Sequence, residues 1–438
     1  MLRKLSSFLV IIWIVIYVLS APIQFVASNI GLSSIIVILK ALIPIILILF
    51  GIVNTLSKME IGKQMATFLL ILFLSICVAV LNNLNINQIA YGIKTFLPLL
   101  GLYSYMMIIK TVPDFKILFR LVSPIVILGV ILDKFLTFPW TGQSYMVGNV
   151  ERNISRSWET FGVERLSGFQ SASYDTGIIL TVFLMLYFLG DIIQKKAIKV
   201  TIFDGLLIIL SIYAVYLTTF KSSYIFLVFY LILMVALHFY KNSVKAKPYL
   251  SVFIRYYMLF VFCYSSIPPV LSYLGYNFFV TNTNNFLLNF LFKSYSIRMT
   301  TTWPEAFSFL DLATFDGILG RGIGGIGTAQ TYGELIYNAA DNVFVYMIVT
   351  FGILSLPVLF WMLYIVFSKK MQFLPRVIML KIFLLLLIYG ATVSIVESPL
   401  VMSITGYLLA LYLIKAKEGK IKDTSTLMRK IPANLQQG

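Results

Sequence analysis

Apolar residues run along this chain in long blocks rather than in short alternation. Twelve blocks approach the roughly 20 residues that a helix needs to cross a hydrocarbon layer. Polar, Gly/Pro or charged interruptions separate them, and they start near Phe8, Leu32, Met65, Ile89, Ile117, Ser171, Phe203, Tyr224, Ser251, Asp341, Val377 and Ser398. The turn at Lys221 is the weakest division, and no repeat relates the two halves. The pattern predicts an all-α polytopic membrane bundle of about 12 transmembrane helices over residues 1–415, followed by a basic tail over 416–438. Met1 to Ser28 carries Arg3, Lys4, an apolar run and a small-residue end at Ala27-Ser28, as a signal peptide does. The run is long and another span follows directly, so it is expected to remain as the first helix.

Most connections are short, but residues 136–170 and 272–340 form two long loops. Loops of that length in a bundle carry function or are disordered. Trp140, Trp158, Trp303 and many Tyr and Phe favour order here. Within the second loop, Asn284 to Met299 (NNFLLNFLFKSYSIRM) is too short and interrupted to span and reads as an interfacial or re-entrant helix.

Composition agrees: 60% of residues are hydrophobic, 12% are charged, and the mean hydropathy is +0.93. These values exclude an ordinary soluble domain. Of the 34 lysines and arginines, 21 fall on the termini and the loops near Lys58, Lys110, Lys195, Lys241 and Lys369. The opposite side carries only eight, despite holding both long loops. By the positive-inside rule both termini are cytoplasmic and the long loops face away from the cytoplasm. The net charge of +17 is therefore a topology signal that also attracts anionic membrane lipid, and nucleic acid is not an expected partner. Cys77 and Cys263 lie in apolar blocks as small packing residues.

Gly322-x-Gly324-x-x-Gly327 has the spacing of a dinucleotide fingerprint. That fingerprint needs a preceding strand and an acid about 20 residues on in a βαβ unit, and neither belongs between membrane helices. Two readings remain. The glycines supply positive φ for a tight turn back into the membrane, or they let backbone amides approach a phosphate.

Arg298, Trp303-Pro304, Gly320-x-Gly322-x-Gly324, Asp341-Asn342 and Gly352 occur in an order that resembles the loop-to-helix signature of the O-antigen polymerase (Wzy-type) and ligase superfamily. RLSGFQSASYDTG (Arg165 to Gly177) is similar to that superfamily's Arg and Gly-aromatic pair entering a helix. TTFKSSY (Thr218 to Tyr224) is similar to its Thr/Ser-rich turn bearing a basic residue. The resemblance implies a bacterial inner-membrane glycosyltransferase with two large periplasmic loops. It further implies a donor sugar carried on undecaprenyl pyrophosphate, with polymerised O-antigen, capsule or exopolysaccharide as the product. A chain-length regulator is a candidate partner. The ligase signature has a His before the Asn of the last motif, where this chain has Asp341. A flippase or other transporter is the alternative from another class, and related halves with a charged midplane path would mark it.

Such a transfer requires cations for the departing pyrophosphate and a base for the attacking hydroxyl. Arg298 and Arg165 are the leading catalytic cations, since a guanidinium fork binds phosphate oxygens in pairs. Arg321 and Lys221 join them as binding candidates, with Gly322 and Gly324 if the amide reading holds. Asp341 is the first choice of base, and it equally suits the N-cap of the helix that follows. Glu305, Asp175 and Glu397 are lesser choices. Lys40 falls mid-span, where an unpaired cation costs about 2.5 to 3.5 kcal/mol, so it is expected to face the interior with Lys94 as a pyrophosphate contact. Arg120, Arg255 and Lys381 are expected to snorkel to the cytoplasmic interface. Trp303, Trp140 and Trp158 are candidates to stack on sugar rings or to form an interfacial belt. With His238 as the only histidine, no metal site and no cofactor is expected.

Overall fold

The structure is a computed structural model of the chain. It describes residues 2–56, 63–147, 150–156, 158–160, 163–193, 200–243, 245, 247–276, 286–310, 315–334, 336–368 and 373–430. The predicted basic loops at Lys58, Lys195 and Lys369 lie outside the described residues.

The first half contains α1 (Leu2–Val18), α2 (Ser20–Asn29), α3 (Ser33–Leu56), α4 (Lys63–Leu81), α5 (Ile86–Ile109), α6 (Phe115–Phe135) and α7 (Ser173–Ile193). Then come α8 (Ile202–Leu217), α9 (Lys221–Asn242), α10 (Lys247–Tyr273), α11 (Phe286–Ile297), α12 (Trp303–Ser308) and α13 (Phe315–Leu319). The chain closes with α14 (Val343–Phe351), α15 (Ser355–Phe367), α16 (Phe373–Gly390) and α17 (Pro399–Lys430). All twelve apolar blocks are helical. Among the described residues nine spans are long and apolar enough to cross a membrane, or ten if α1 and α2 count as one bent span. The blocks from Met65 and Phe203 give the shorter apolar helices Ala66–Leu81 and Ile202–Leu217. The protein is thus a mostly helical, multi-pass membrane protein.

Helix starts follow local chemistry. Asn85, Asp114 and Thr201 cap α5, α6 and α8 by accepting bonds from first-turn amides. At the core, α5 lies between α3 and α17. Small residues permit the approach: a Cβ on Gly101 would come within 2.8 Å of Pro44 on α3, and one on Gly406 of α17 within 2.0 Å of the Leu99 carbonyl. α16 and α7 are the most enclosed spans.

Two features escaped the apolar pattern. First, α1 and α2 meet at 85°, and the first long loop satisfies the break. Ala21 N donates to Phe169 O at 3.0 Å, Gln170 Nε2 donates to Val18 O, and Ser20 Oγ donates to Gln170 Oε1 at 3.2 Å. Second, that loop carries two antiparallel hairpins, β1 (Ser144–Val147) with β2 (Val150–Asn153) and β3 (Glu159–Thr160) with β4 (Val163–Glu164). The segment read as interfacial is helical over Phe286–Ile297 and continues through a π-turn at Arg298–Thr302 into α12. α17 runs on to Lys430, and its membrane-length apolar stretch is Pro399–Glu418.

Of the three cations expected to snorkel, Lys381 is corrected by its full burial, while Arg120 and Arg255 are partly exposed and have polar partners. Arg120 forks onto Asp204, Nε to Oδ1 at 2.7 Å and Nη2 to Oδ2 at 2.8 Å. Lys381 is fully buried, its Nζ 2.8 Å from the Tyr230 hydroxyl. Arg255 holds Ser251 one turn back.

Candidate functional site

Both long loops, together with residues in or just before six helices, close around one cavity of about 540 Å³. α3, α5 and α7 contribute Lys40, Lys94 and Asp175. Phe220 stands just before α9, Asp341 just before α14, and Glu397 just before α17. Six cations line the cavity (Lys40, Lys94, Arg152, Arg156, Arg165, Arg298), against three carboxylates, Asp175, Asp341 and Glu397. The N-termini of α7, α14 and α17 add the positive ends of their helix dipoles. Formal charge and backbone dipole therefore both favour an anionic ligand.

The sequence-chosen catalytic residues meet here. Arg165, Arg298 and Asp341 all line the cavity. Arg298 Nη2 pairs with Asp341 Oδ2 at 3.1 Å, while its Nη1 donates to Ser294 O and Ser294 Oγ. The π-turn that begins at Arg298 turns the chain into α12 at this point. Arg165 Nε is buried without a hydrogen-bond partner, as is Arg298 Nε. Burial, and secondarily the Arg298 charge, push the Arg165 guanidinium below its usual pKa. Lys221 does not line the cavity, although it lies within electrostatic range of Arg165 and Arg298.

Asp341 is not the helix cap. That role belongs to Asn342, whose side chain accepts from Phe344 N at 2.8 Å and Val345 N at 3.2 Å. Asp341 itself sits at φ +47° after Ala340 at φ +59°, a left-handed pair that a non-glycine chain adopts only when its surroundings impose it. The pair turns the Asp341 carboxylate to Arg298 and the cavity. Of the lesser carboxylates, Asp175 and Glu397 line the cavity and Glu305 lies exposed outside it. Glu397 accepts from Thr328 N at 2.6 Å and Thr328 Oγ1 at 2.9 Å, and its burial pushes its pKa up to about 7.

Other candidates fall away from the cavity. Arg321 braces its own loop, with Nη2 3.0 Å from Glu334 Oε1 and Nη1 2.8 Å from Gly325 O. The glycine loop makes the tight turn and leaves few amides to offer. Arg321 N, Gly322 N and Ile323 N donate to Val349 O, Thr350 O and Ser75 O, and Gly325 N to Gly322 O. Gly322 and Gly324 have φ of +84° and +85°, and Cβ atoms there would lie 2.3 Å from Ala79 N and 2.6 Å from Gln88 O. They seat the loop against α4 and α5 rather than cradling phosphate. Trp303 is fully buried, edge-on to Tyr295 at 5.3 Å, so it is core and no sugar platform. Trp140 stacks on Phe138, and only Trp158 of the three tryptophans reaches the cavity, beneath Arg156.

The sequence reading missed Arg152, Arg156 and the tyrosines 17, 91, 145 and 332, all of which line the cavity. In the sequence the arginines count only as loop charges. The alternation of Tyr145 and Arg152 about a short turn was the available signal, since these two residues face each other across β1 and β2.

No family model, curated protein or solved structure matches this chain at a significant level.

Proposed function

We propose that the chain joins oligosaccharide repeat units carried on undecaprenyl pyrophosphate into a longer polysaccharide, at the periplasmic face of the bacterial inner membrane. The observation that carries this reading is the convergence of Arg165, Arg298 and Asp341, drawn from two distant loops, on one cation-rich cavity. The cavity lies at the end of the bundle where the long loops gather. The bias of Lys and Arg assigns that side to the periplasm and both termini to the cytoplasm, with about twelve crossings in all.

No nucleoside triphosphate is available on that side, so the energy arrives in the donor. A hydroxyl of the acceptor repeat attacks the anomeric carbon of the sugar at the lipid end of the donor chain. The new C–O bond forms as the bond to the pyrophosphate oxygen breaks, and the lipid pyrophosphate leaves with the electron pair. A single displacement inverts the anomeric centre. Arg298 and Arg165 meet the charge that grows on the leaving group. The hydroxyl proton passes to a cavity carboxylate, for which Asp341 is the assigned base.

The test uses purified protein and lipid-linked repeat units. Longer chains are expected to form without nucleotide and in the presence of EDTA. Arg298→Ala and Arg165→Ala are each expected to slow transfer roughly 10²- to 10³-fold, by analogy with losing one oxyanion donor. Lys at either position restores only part of the rate, because a point charge lacks the bidentate fork. A strict requirement for ATP or a divalent cation would sink the mechanism. In a deletion strain whose glycan is an O-antigen, lipid A core bearing one repeat unit marks a lost polymerase, whereas bare core marks a ligase.

A further inference from the structure

The cavity holds a second group of cations, apart from the Arg165–Arg298 corner. Lys40 and Lys94 stand about two turns into α3 and α5, roughly 10 to 12 Å below the helix starts, and Arg152 reaches in from β2, whose partner strand β1 packs on α3. Each rests on aromatic rings. Lys40 Nζ lies 5.4 Å from the Tyr17 ring centre and Lys94 Nζ 4.9 Å from that of Tyr91. The Arg152 guanidinium sits over both Tyr91 and Tyr332, at 5.7 and 5.4 Å, and those two rings stack at 4.7 Å. Among the described residues neither lysine has a carboxylate within salt-bridge reach. Asp175 and Glu397 act on the group only from a distance, through Lys40 and Arg152 respectively.

Lys94 and Arg152 share the Tyr91 ring and Lys40 lies on Tyr17, whereas Arg298 pairs with Asp341 and Arg156 lies over Trp158. The cavity thus has two cationic centres. Three cations gathered in a partly desolvated wall repel one another, and π-faces offset only a fraction of that cost. An anion bound between them offsets the rest.

We infer that Lys40, Lys94 and Arg152 form a second pyrophosphate subsite, which holds the prenyl-linked pyrophosphate of the acceptor while Arg165 and Arg298 hold that of the donor. The assignment of the two roles rests on the polymerase reading, in which both substrates carry the same lipid. No bond to the acceptor pyrophosphate changes, so this subsite binds and positions its substrate.

Titration calorimetry on the purified protein in nanodiscs, with inorganic pyrophosphate and with farnesyl pyrophosphate as probes, tests this. Two equivalents are expected to bind to the wild type and one to the double variant Lys40→Gln/Lys94→Gln. Lys40→Arg/Lys94→Arg keeps both, which separates charge from misfolding. Farnesyl pyrophosphate is expected to bind about tenfold tighter or more, through its buried prenyl carbons. Equal affinity for the two probes would assign the centre to free pyrophosphate and overturn the lipid-linked reading. In the polymer assay, the Gln variant raises KM for the acceptor roughly ten- to hundredfold with kcat little changed. One equivalent in the wild type, or two in the Gln variant, overturns the subsite. Two equivalents in a wild type that makes no polymer supports the subsite and counts against polymerisation.

Discussion

Glu397 lies between α16 and α17, and its burial beneath Thr328 carries a consequence that a pH series can read. A carboxylate whose pKa rises on folding, here to about 7, binds its proton more tightly in the native state than when unfolded. Native stability is therefore greatest below the usual carboxylate range and declines as pH rises towards 7, above which both states are ionised. The melting temperature in detergent is expected to fall between about pH 5 and 7. Glu397→Gln, which cannot ionise, should flatten that part of the curve, and an unchanged profile would remove Glu397 as a buried acid. Asp341 and Asn342 make a second pair of tests. Asn342→Ala loses the cap, about 1 kcal/mol, and also two bonds from Asn342 Nδ2, to Ser265 O and Ala391 O. It should lower the melting temperature by several degrees. Asp341→Asn caps nothing and should leave melting close to wild type, so a loss of transfer there reads on the chemistry. Full activity in Asp341→Asn would move the base to Asp175 or Glu397. At this scale the sequence was legible where a residue type is rare in its surroundings, as with Lys40 in an apolar span and Lys94 grouped with it, or where a motif carried it, as with Arg165 and Arg298. Arg152 and Arg156 did not stand out, because only the hairpin's register, for Arg152, and the loop's bond from Arg156 N to Ser171 O turn a solvent charge into a cavity wall.

Among the elements, the glycine loop between α13 and α14 acts as a wedge against α4 and α5. Gln88 Nε2 holds it through Gly324 O at 2.8 Å and Glu334 Oε1 at 2.7 Å, and Asn82 Nδ2 through Gly320 O. The wedge places Thr328 on Glu397 and Tyr332 on Tyr91. Gly322→Ala is expected to cost more than the roughly 1 to 2 kcal/mol of left-handed strain, since its Cβ also meets Ala79 N. Thermal unfolding should register this, with loss of transfer because the cavity wall moves. A variant as stable and active as wild type would show that the loop is not seated as described. Hydropathy located the helices themselves, because about 20 apolar residues have few other solutions in lipid. The bend at Leu19 was illegible, since what satisfies it lies some 150 residues away in a loop, and so were hairpins too short for alternation to stand out.

For the whole molecule, sidedness is the untried prediction. Asn153 is exposed on the cavity hairpin and Ser243 follows α9 at the other end. A cysteine at Asn153 should react with a membrane-impermeant thiol reagent in intact spheroplasts, and one at Ser243 should not. Reversed labelling would put the cavity in the cytoplasm and take away the case for a lipid-linked donor. The bonds between the first bend and the first long loop also bear on how the chain is made. Val18 O and Ala21 N find their partners in Phe169 and Gln170, residues that leave the ribosome long after α1 and α2 have entered the membrane. Until then, the broken backbone would face lipid with its polar groups unmatched. The nascent N-terminus is therefore expected to insert as a straight helix and to kink only once α7 follows the loop across. A ribosome stalled before Phe169 would leave the first segment unbent.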